Sequence, residues 1–300
     1  MTAAKEDFPH LKEKALAVVL APDADRIKMI QAGTWVGYAR AKQVLEDLET
    51  LLNHPPTTRM PNMLLVAPSF NGKTSILKHF MQEHPPDVDP AGEATICPVV
   101  FAESPPKPDV SALYSRILES LMAPFKSTAR AEDKYSQIKQ LFRKMQVRML
   151  ILDEIHHLIT GSTSRQQEYR NALKSLGNET QIVIVAAGIE DAYNAFNADP
   201  QMSSRFTPFD LPRWSKDPQL GLLLATLEAR LPLKKPSGLK SAEMVNAIYD
   251  RSEGMLGDIC DLVKALAIDA IKSGKEQILF ERVNGIRWVP PSQRKQYKRT

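Results

Sequence analysis

The sequence predicts an α/β fold: a parallel five-stranded sheet carrying a phosphate-binding loop, followed by a small helical lid. Three observations predict it. Short continuous Val/Ile/Leu runs alternate with helical patterns as far as Leu211, the signature of a parallel sheet buried on both faces. The first run, Leu64-Leu65-Val66, leads into Ala67-Pro68-Ser69-Phe70-Asn71-Gly72-Lys73-Thr74 and then a helix, the order a phosphate-binding loop requires. Beyond Leu211 the strand signal fades and helical patterns take over.

Composition bounds the class. The 300 residues are 43% hydrophobic and 25% charged, ordinary for a globular protein and long enough to bury a sizeable core. A net charge of +4 and a pI near 8.9 permit a polyanion partner without demanding one. Cys97 and Cys260 lie far apart in apolar surroundings and read as buried thiols in a reducing compartment, not as a disulfide framework. No run reaches the ~18 apolar residues of a membrane span, and residues 1–8 carry no signal-peptide pattern. The expectation is a cytoplasmic protein with no membrane partner.

Taken in order, residues 1–56 form a helical N-terminal segment. Leu11–Leu20 and Asp23–Gln31 have helical patterning, Thr34–Tyr38 interrupts it, and Ala39–Leu52 is an amphipathic helix ended by His54-Pro55-Pro56. Trp35 and Tyr38 are able to stack on a base, but read first as core or interface anchors. The α/β core occupies 57–213. After the loop and its helix come strands at Thr95–Phe101, Arg148–Leu152, Gln181–Ala187 and Arg205–Leu211. Helices fall at Val110–Leu121, Asp133–Met145, Arg165–Leu176 and Glu190–Asn197. The lid, 214–284, contains helices at Pro218–Arg230, Ser241–Arg251 and Leu256–Ser273. A basic tail, 285–300, carries Arg287, Arg294, Lys295, Lys298 and Arg299 with no acidic residue, a disordered or docking segment.

The chemistry centres on the loop. Backbone N–H groups at the new helix N-terminus, with the helix dipole behind them, attract phosphate. Residues Ala67, Pro68, Ser69, Phe70, Asn71, Gly72, Lys73, Thr74 and Ser75 form the nucleotide contact. Lys73 reaches the β- and γ-phosphates and the Thr74 hydroxyl is placed to ligate Mg²⁺. Ala67 stands where the first glycine of such loops usually stands, so a positive φ there would be strained. Met149-Leu150-Ile151-Leu152 ends in Asp153-Glu154. In phosphate-loop ATPases the first acid serves the metal, and the second orients and deprotonates water. Asp153-Glu154-Ile155-His156 also spells a helicase-type box, set aside because the chain has room for one motor domain. His156 and His157 suggest a metal with Cys260, but nothing else has ligand spacing; His156 is read instead as part of the shell around the site or as a contact to a neighbour. Arg205, in Ser203-Ser204-Arg205-Phe206, follows the fourth strand and can act as a finger on a neighbouring subunit's nucleotide, which requires head-to-tail assembly as a ring or filament.

These residues resemble an AAA+ ATPase. More narrowly, Trp35-Val36-Gly37-Tyr38, Arg59-Met60-Pro61-Asn62-Met63-Leu64-Leu65, Asn71-Gly72-Lys73-Thr74 and Asp153-Glu154-Ile155-His156-His157-Leu158 resemble the TniB proteins, transposition ATP-binding proteins related to TnsC and functionally to MuB. The resemblance implies a bacterial, ATP- and Mg²⁺-dependent regulator that assembles on double-stranded target DNA and recruits a DDE transposase, with a target-selector protein as a further partner. Hydrolysis drives disassembly. It implies Lys73, Glu154 and Arg205 as catalytic residues and Thr74 and Asp153 as metal ligands. Lys107, Lys126, Arg130 and Arg165, on the connections after the second and third strands, are the candidates for DNA phosphate contacts, which salt weakens. The lid segment Gly254-Met255-Leu256-Gly257-Asp258 lacks the Arg many AAA+ proteins place there, and Ala186-Ala187-Gly188 ends the fourth strand without a polar residue. Both point to slow hydrolysis. Two alternatives share the fold: a helicase loader or replication initiator, and a non-hydrolysing ATP-gated scaffold.

Overall fold

The computed structural model describes residues 7–33, 35–88, 95–197 and 199–294. Thr34 and the tail residues Lys295, Lys298 and Arg299 lie outside the described residues, as does 89–94 of the loop before the second strand. The elements run α1 (Glu13–Leu16), α2 (Asp23–Ala32), α3 (Ala39–Leu52), β1 (Asn62–Val66), α4 (Lys73–Glu83), β2 (Val99–Glu103), α5 (Val110–Ser120) and α6 (Ala131–Lys144). They continue with β3 (Met149–Asp153), a 3₁₀ turn (Ile155–Ile159), α7 (Thr163–Thr180), β4 (Val183–Gly188), α8 (Asp191–Asn197), α9 (Pro200–Ser203) and β5 (Phe206–Asp210). Helices α10 (Pro218–Glu228), α11 (Ala242–Ser252), α12 (Leu256–Lys272), α13 (Phe280–Gly285) and α14 (Pro291–Arg294) complete them. No described helix is long and apolar enough to cross a membrane.

The chain divides into two compact units: Ala39–Pro212, and the residues up to Tyr38 together with those from Arg213 onward. In the first, five parallel strands are ordered β2-β3-β4-β1-β5. Every residue of β1, β3 and β4 is buried, which is why these strands read as unbroken apolar runs. The edge strand β5 tolerates Pro208, whose missing N–H would break a central ladder. Leu113, Ile117 and Leu118 of α5, Ile138 and Phe142 of α6 and Leu173 and Leu176 of α7 pack in one core with Leu64, Leu150 and Ile184 of the sheet. Each such side chain contributes roughly 1.5–3 kcal/mol of hydrophobic stabilisation. The helices start where the sequence supplies caps: Asp109 accepts from Ala112 N before α5, as Asp217 does from Gln219 N and Leu220 N before α10.

The helical unit packs Ile30 of α2 with Leu220, Leu223 and Leu224 of α10, Ile248 of α11, and Ile259, Leu262 and Leu266 of α12. Arg26 of α2 is fully buried and anchors there. Its guanidinium donates to Pro232 O at 3.0 Å and forms a two-pronged ion pair with Glu276. Gly254 has φ +69°, and a Cβ there would lie 2.4 Å from Trp214 O, so only glycine fits. Cys97 is buried and Cys260 is partly buried; both are free thiols, and burial pushes the Cys260 thiol up to about 11.

Several boundaries differ from the sequence reading. Leu11–Leu20 yields only the short α1, which no side chain caps; Leu11, Ala15 and Val19 instead form a small buried cluster. The second strand begins at Val99, because Ile96 bridges to Asp87 and Cys97 N donates to Met145 O at 2.8 Å. The 3₁₀ turn, α13 and α14 carry no periodic signal long enough to read. The start of the basic tail is docked: Trp288 Nε1 donates to Arg251 O at 3.0 Å, Ser292 N donates to Glu253 at 3.1 Å, and Arg294 pairs with Asp258.

Candidate functional site

Parallel register brings the carboxyl ends of the strands to one sheet edge, where Val66 pairs with Gly188 and with Asp210, and Glu103 with Asp153. The phosphate loop leaves β1 at this edge. Its positive φ angles fall at Phe70 (+62°) and Gly72 (+92°), not at Ala67, so the alanine carries no backbone strain. Ala67 is buried instead, and its N–H donates to Gly188 O at 3.1 Å. Gly72 caps α4 with no side-chain hydrogen bond, leaving the helix N-terminal N–H groups to a ligand.

Lys73 is buried and its Nζ donates to Ala67 O at 2.8 Å and Pro68 O at 3.1 Å. Burial lowers its pKa, against the opposing pull of Asp153 and Glu154. Thr74 Oγ1 donates to Asp153 Oδ2 at 2.5 Å. Asp153 is buried, and its other oxygen accepts from Glu154 N at 2.8 Å. A hydroxyl and a carboxylate oxygen side by side are hard donors that fit Mg²⁺, which takes few protein ligands besides phosphate and water. Glu154 adopts a left-handed backbone (φ +58°) at the start of the 3₁₀ turn. Its carboxylate lies 3.3 Å from His156 Nδ1, so His156 belongs to the shell of the site. Burial lowers the His156 pKa, with Glu154 acting against it. Lys73 and Thr74 at the start of α4 thus converge with Asp153 at the end of β3 and Glu154 just after it. The His157 ring lies tilted against that of His156, with centroids 4.6 Å apart, and the fold sets the pair beside Glu154.

Arg205 lies elsewhere. It immediately precedes β5, at the amino edge of the sheet, where Asn62 N donates to Arg205 O at 3.1 Å. Its guanidinium donates to Asn178 Oδ1 at 2.5 Å. Lys107, Lys126, Arg130 and Arg165 are all exposed, and none forms an ion pair with a described residue. The connections after β2 and β3 touch: Thr160 Oγ1 donates to Pro106 O at 3.2 Å. Buried Lys134 fastens the α5–α6 connection to α5 through Ser111 Oγ (2.9 Å), Ser115 Oγ (3.0 Å) and Ser127 O (3.1 Å). That lysine was not singled out from sequence, since a charge inside a helix ordinarily reads as solvent-facing.

The parallel sheet in this strand order, with the helices that follow it, is an AAA+-like α/β fold. The chain belongs to the bacterial TniB protein family, whose profile matches residues 26–216. None of the curated proteins matches it. Among solved structures it is similar to the Aeropyrum pernix ORC2 protein in its ADPNP–ADP complexes, at 15% identity and a TM-score of 0.60, covering 82% of this chain and 66% of that one. The Cdc6 protein of Pyrobaculum aerophilum is 19% identical with a TM-score of 0.55, over 84% of this chain and 67% of that one. The Aeropyrum pernix ORC1 protein in complex with DNA is 15% identical with a TM-score of 0.53, over 94% of this chain and 69% of that one. The chain therefore spans about two thirds of the length of these structures.

Proposed function

We propose that this TniB-family protein is an ATP-dependent DNA-binding regulator of transposition. It assembles head to tail on double-stranded target DNA, recruits and activates a DDE transposase in the bacterial cytoplasm, and is released when ATP is hydrolysed. The observation that carries the reading is the 2.5 Å contact between Thr74 of the loop helix and Asp153 of β3, which joins the two halves of a nucleotide site. Bound Mg²⁺ supplies charge neutralisation to the phosphates, held by Thr74 and Asp153. Residues 67–75 cradle the phosphates, Lys73 offsets their charge, and Glu154 orients the attacking water and accepts its proton. Arg205 stabilises charge on a neighbour's γ-phosphate. Slow hydrolysis suits a timer, and the lack of an Arg in 254–258 supports it. Lys107, Lys126, Arg130 and Arg165 contact DNA phosphates, and the contact of Pro106, next to Lys107, with Thr160, just ahead of the first turn of α7 that carries Arg165, supports those two acting on one surface.

A second reading, a helicase loader or replication initiator, is favoured by the ORC and Cdc6 structures. Co-purification with a transposase rather than a replicative helicase selects between them. Glu154→Gln tests the mechanism. It is expected to retain ATP binding, lower turnover by at least about 100-fold and trap assemblies on DNA, seen as rings or filaments by electron microscopy. A variant that dissociates from DNA as fast as the wild type would leave the non-hydrolysing scaffold as the better account.

A further inference from the structure

The chain passes between its two compact units twice, at Tyr38–Ala39 and at Pro212–Arg213. Within the α/β unit the two passages are tied together. Arg40 Nε donates to Asp210 O at 3.0 Å, and the Arg40 guanidinium lies 4.8 Å from the centroid of the Phe209 ring. Within the helical unit they are tied again: the Tyr38 and Trp214 rings meet edge-on with centroids 5.0 Å apart, and Trp214 N donates to Gly254 O at 2.8 Å. Leu211, Pro212 and Arg213 lie between these ties.

Asn71 of the phosphate loop grips this stretch. It is buried, and its side-chain amide donates to Leu211 O at 2.8 Å and to Pro212 O at 3.0 Å. Left-handed residues flank it, Phe70 at φ +62° and Gly72 at φ +92°. The Asn71 backbone therefore belongs to the phosphate cradle while its side chain belongs to the passage. We infer that Asn71 is a positioning residue that couples the conformation of the phosphate loop to the Leu211–Arg213 passage between the units. The inference rests on the nucleotide reading above. A phosphate in the loop competes with Ala67 O and Pro68 O for the protons of Lys73, so binding resets the loop's internal bonds. Two neighbouring carbonyls held by one rigid planar amide then follow the loop. Such coupling is reciprocal: whatever fixes the passage also alters nucleotide affinity.

The test is hydrogen–deuterium exchange of the full-length protein over residues 209–217, with and without Mg²⁺ and the non-hydrolysable analogue AMP-PNP, saturation being set by titration of a fluorescent ATP. In the wild type the nucleotide is expected to slow exchange there about tenfold, within the usual range for coupled sites. In Asn71→Ala and Asn71→Ser, compared at their own saturating concentrations, the nucleotide effect should shrink below about twofold. A residue that merely braced the fold would raise exchange equally with and without nucleotide, and that result overturns the coupling. Unchanged exchange in a wild type that binds AMP-PNP overturns it too, needs no variant to fold, and leaves the nucleotide assignment standing. A wild type that binds no nucleotide sinks both.

Discussion

Glu154 holds a backbone conformation that side chains with a Cβ avoid, φ +58° and ψ +33°, at the point where β3 ends and the 3₁₀ turn begins. Such a residue costs of order 1–2 kcal/mol against glycine. That conformation sets the carboxylate 3.3 Å from His156 Nδ1, while the Glu154 N–H donates to Asp153 Oδ1 at 2.8 Å. Strain of this kind gathers where chemistry needs a side chain at a fixed place. Glu154→Gly should therefore raise the free energy of unfolding by about 1 kcal/mol while abolishing ATP turnover, read by denaturant titration and phosphate release. A variant less stable than the wild type would mean that the conformation is not strained here. Asp153-Glu154 was legible in the sequence because an apolar strand ending in two acids is a local pattern. The strain was not, because φ is set by the turn that follows. The same limit applies to Ala67: one missing glycine suggested strain, yet the loop places its left-handed residues at Phe70 and Gly72.

Among the elements, α2 shows best what local pattern leaves out. Its helical periodicity was readable from Asp23 to Gln31, but its partner was not, because Arg26 pairs with Glu276, 250 positions along the chain. A buried Arg looks like any surface Arg until its carboxylate is found. Strands β1, β3 and β4 were legible for the opposite reason: burial on both faces writes itself into consecutive residues. The Arg26 side chain is 0% exposed and that of Glu276 13%. Burial alone would raise the Glu276 carboxyl, but the hydrogen bonds from Arg26 outweigh it and hold the group below the usual carboxylate range. A depressed carboxyl adds stability above its unfolded pKa, and that stability is lost as pH falls through the folded value. Arg26→Met leaves the largely buried Glu276 with only the 3.6 Å pair to Lys234 Nζ and the bond from Lys234 N, so it should cost about 3 kcal/mol at pH 7, the lower end for a broken buried pair. The gap to the wild type should narrow below about pH 4.5, as protonation removes the charge that Arg26 no longer compensates. Urea unfolding at pH 7 and pH 4 measures both, and a gap of equal size at the two would contradict the assignment.

In the whole molecule, the sheet separates two groups that the proposed function places in one reaction. Phe206 registers with Asn62, at the start of β1, whereas the phosphate loop leaves β1 at Val66. Four rises of about 3.3 Å put roughly 13 Å of strand between the Arg205 edge and the loop edge. Within its own chain Arg205 is held by Asn178, on α7, away from Lys73. An arginine at the wrong end of its own sheet makes sense in trans, where one subunit's amino edge meets the carboxyl edge of the next, a heterologous contact that closes into a ring or winds into a filament. Mixing two defective subunits tests this. Lys73→Ala retains the arginine but not the phosphate grip, and Arg205→Ala retains the grip but not the arginine. Each alone should be nearly inactive on DNA. At equal proportions in random assemblies, about one interface in four joins an intact loop to an intact arginine, so ATP turnover should recover to about a quarter of the wild type. Arg205 acting within its own chain predicts no recovery in the mixture, because no single subunit would then carry both groups.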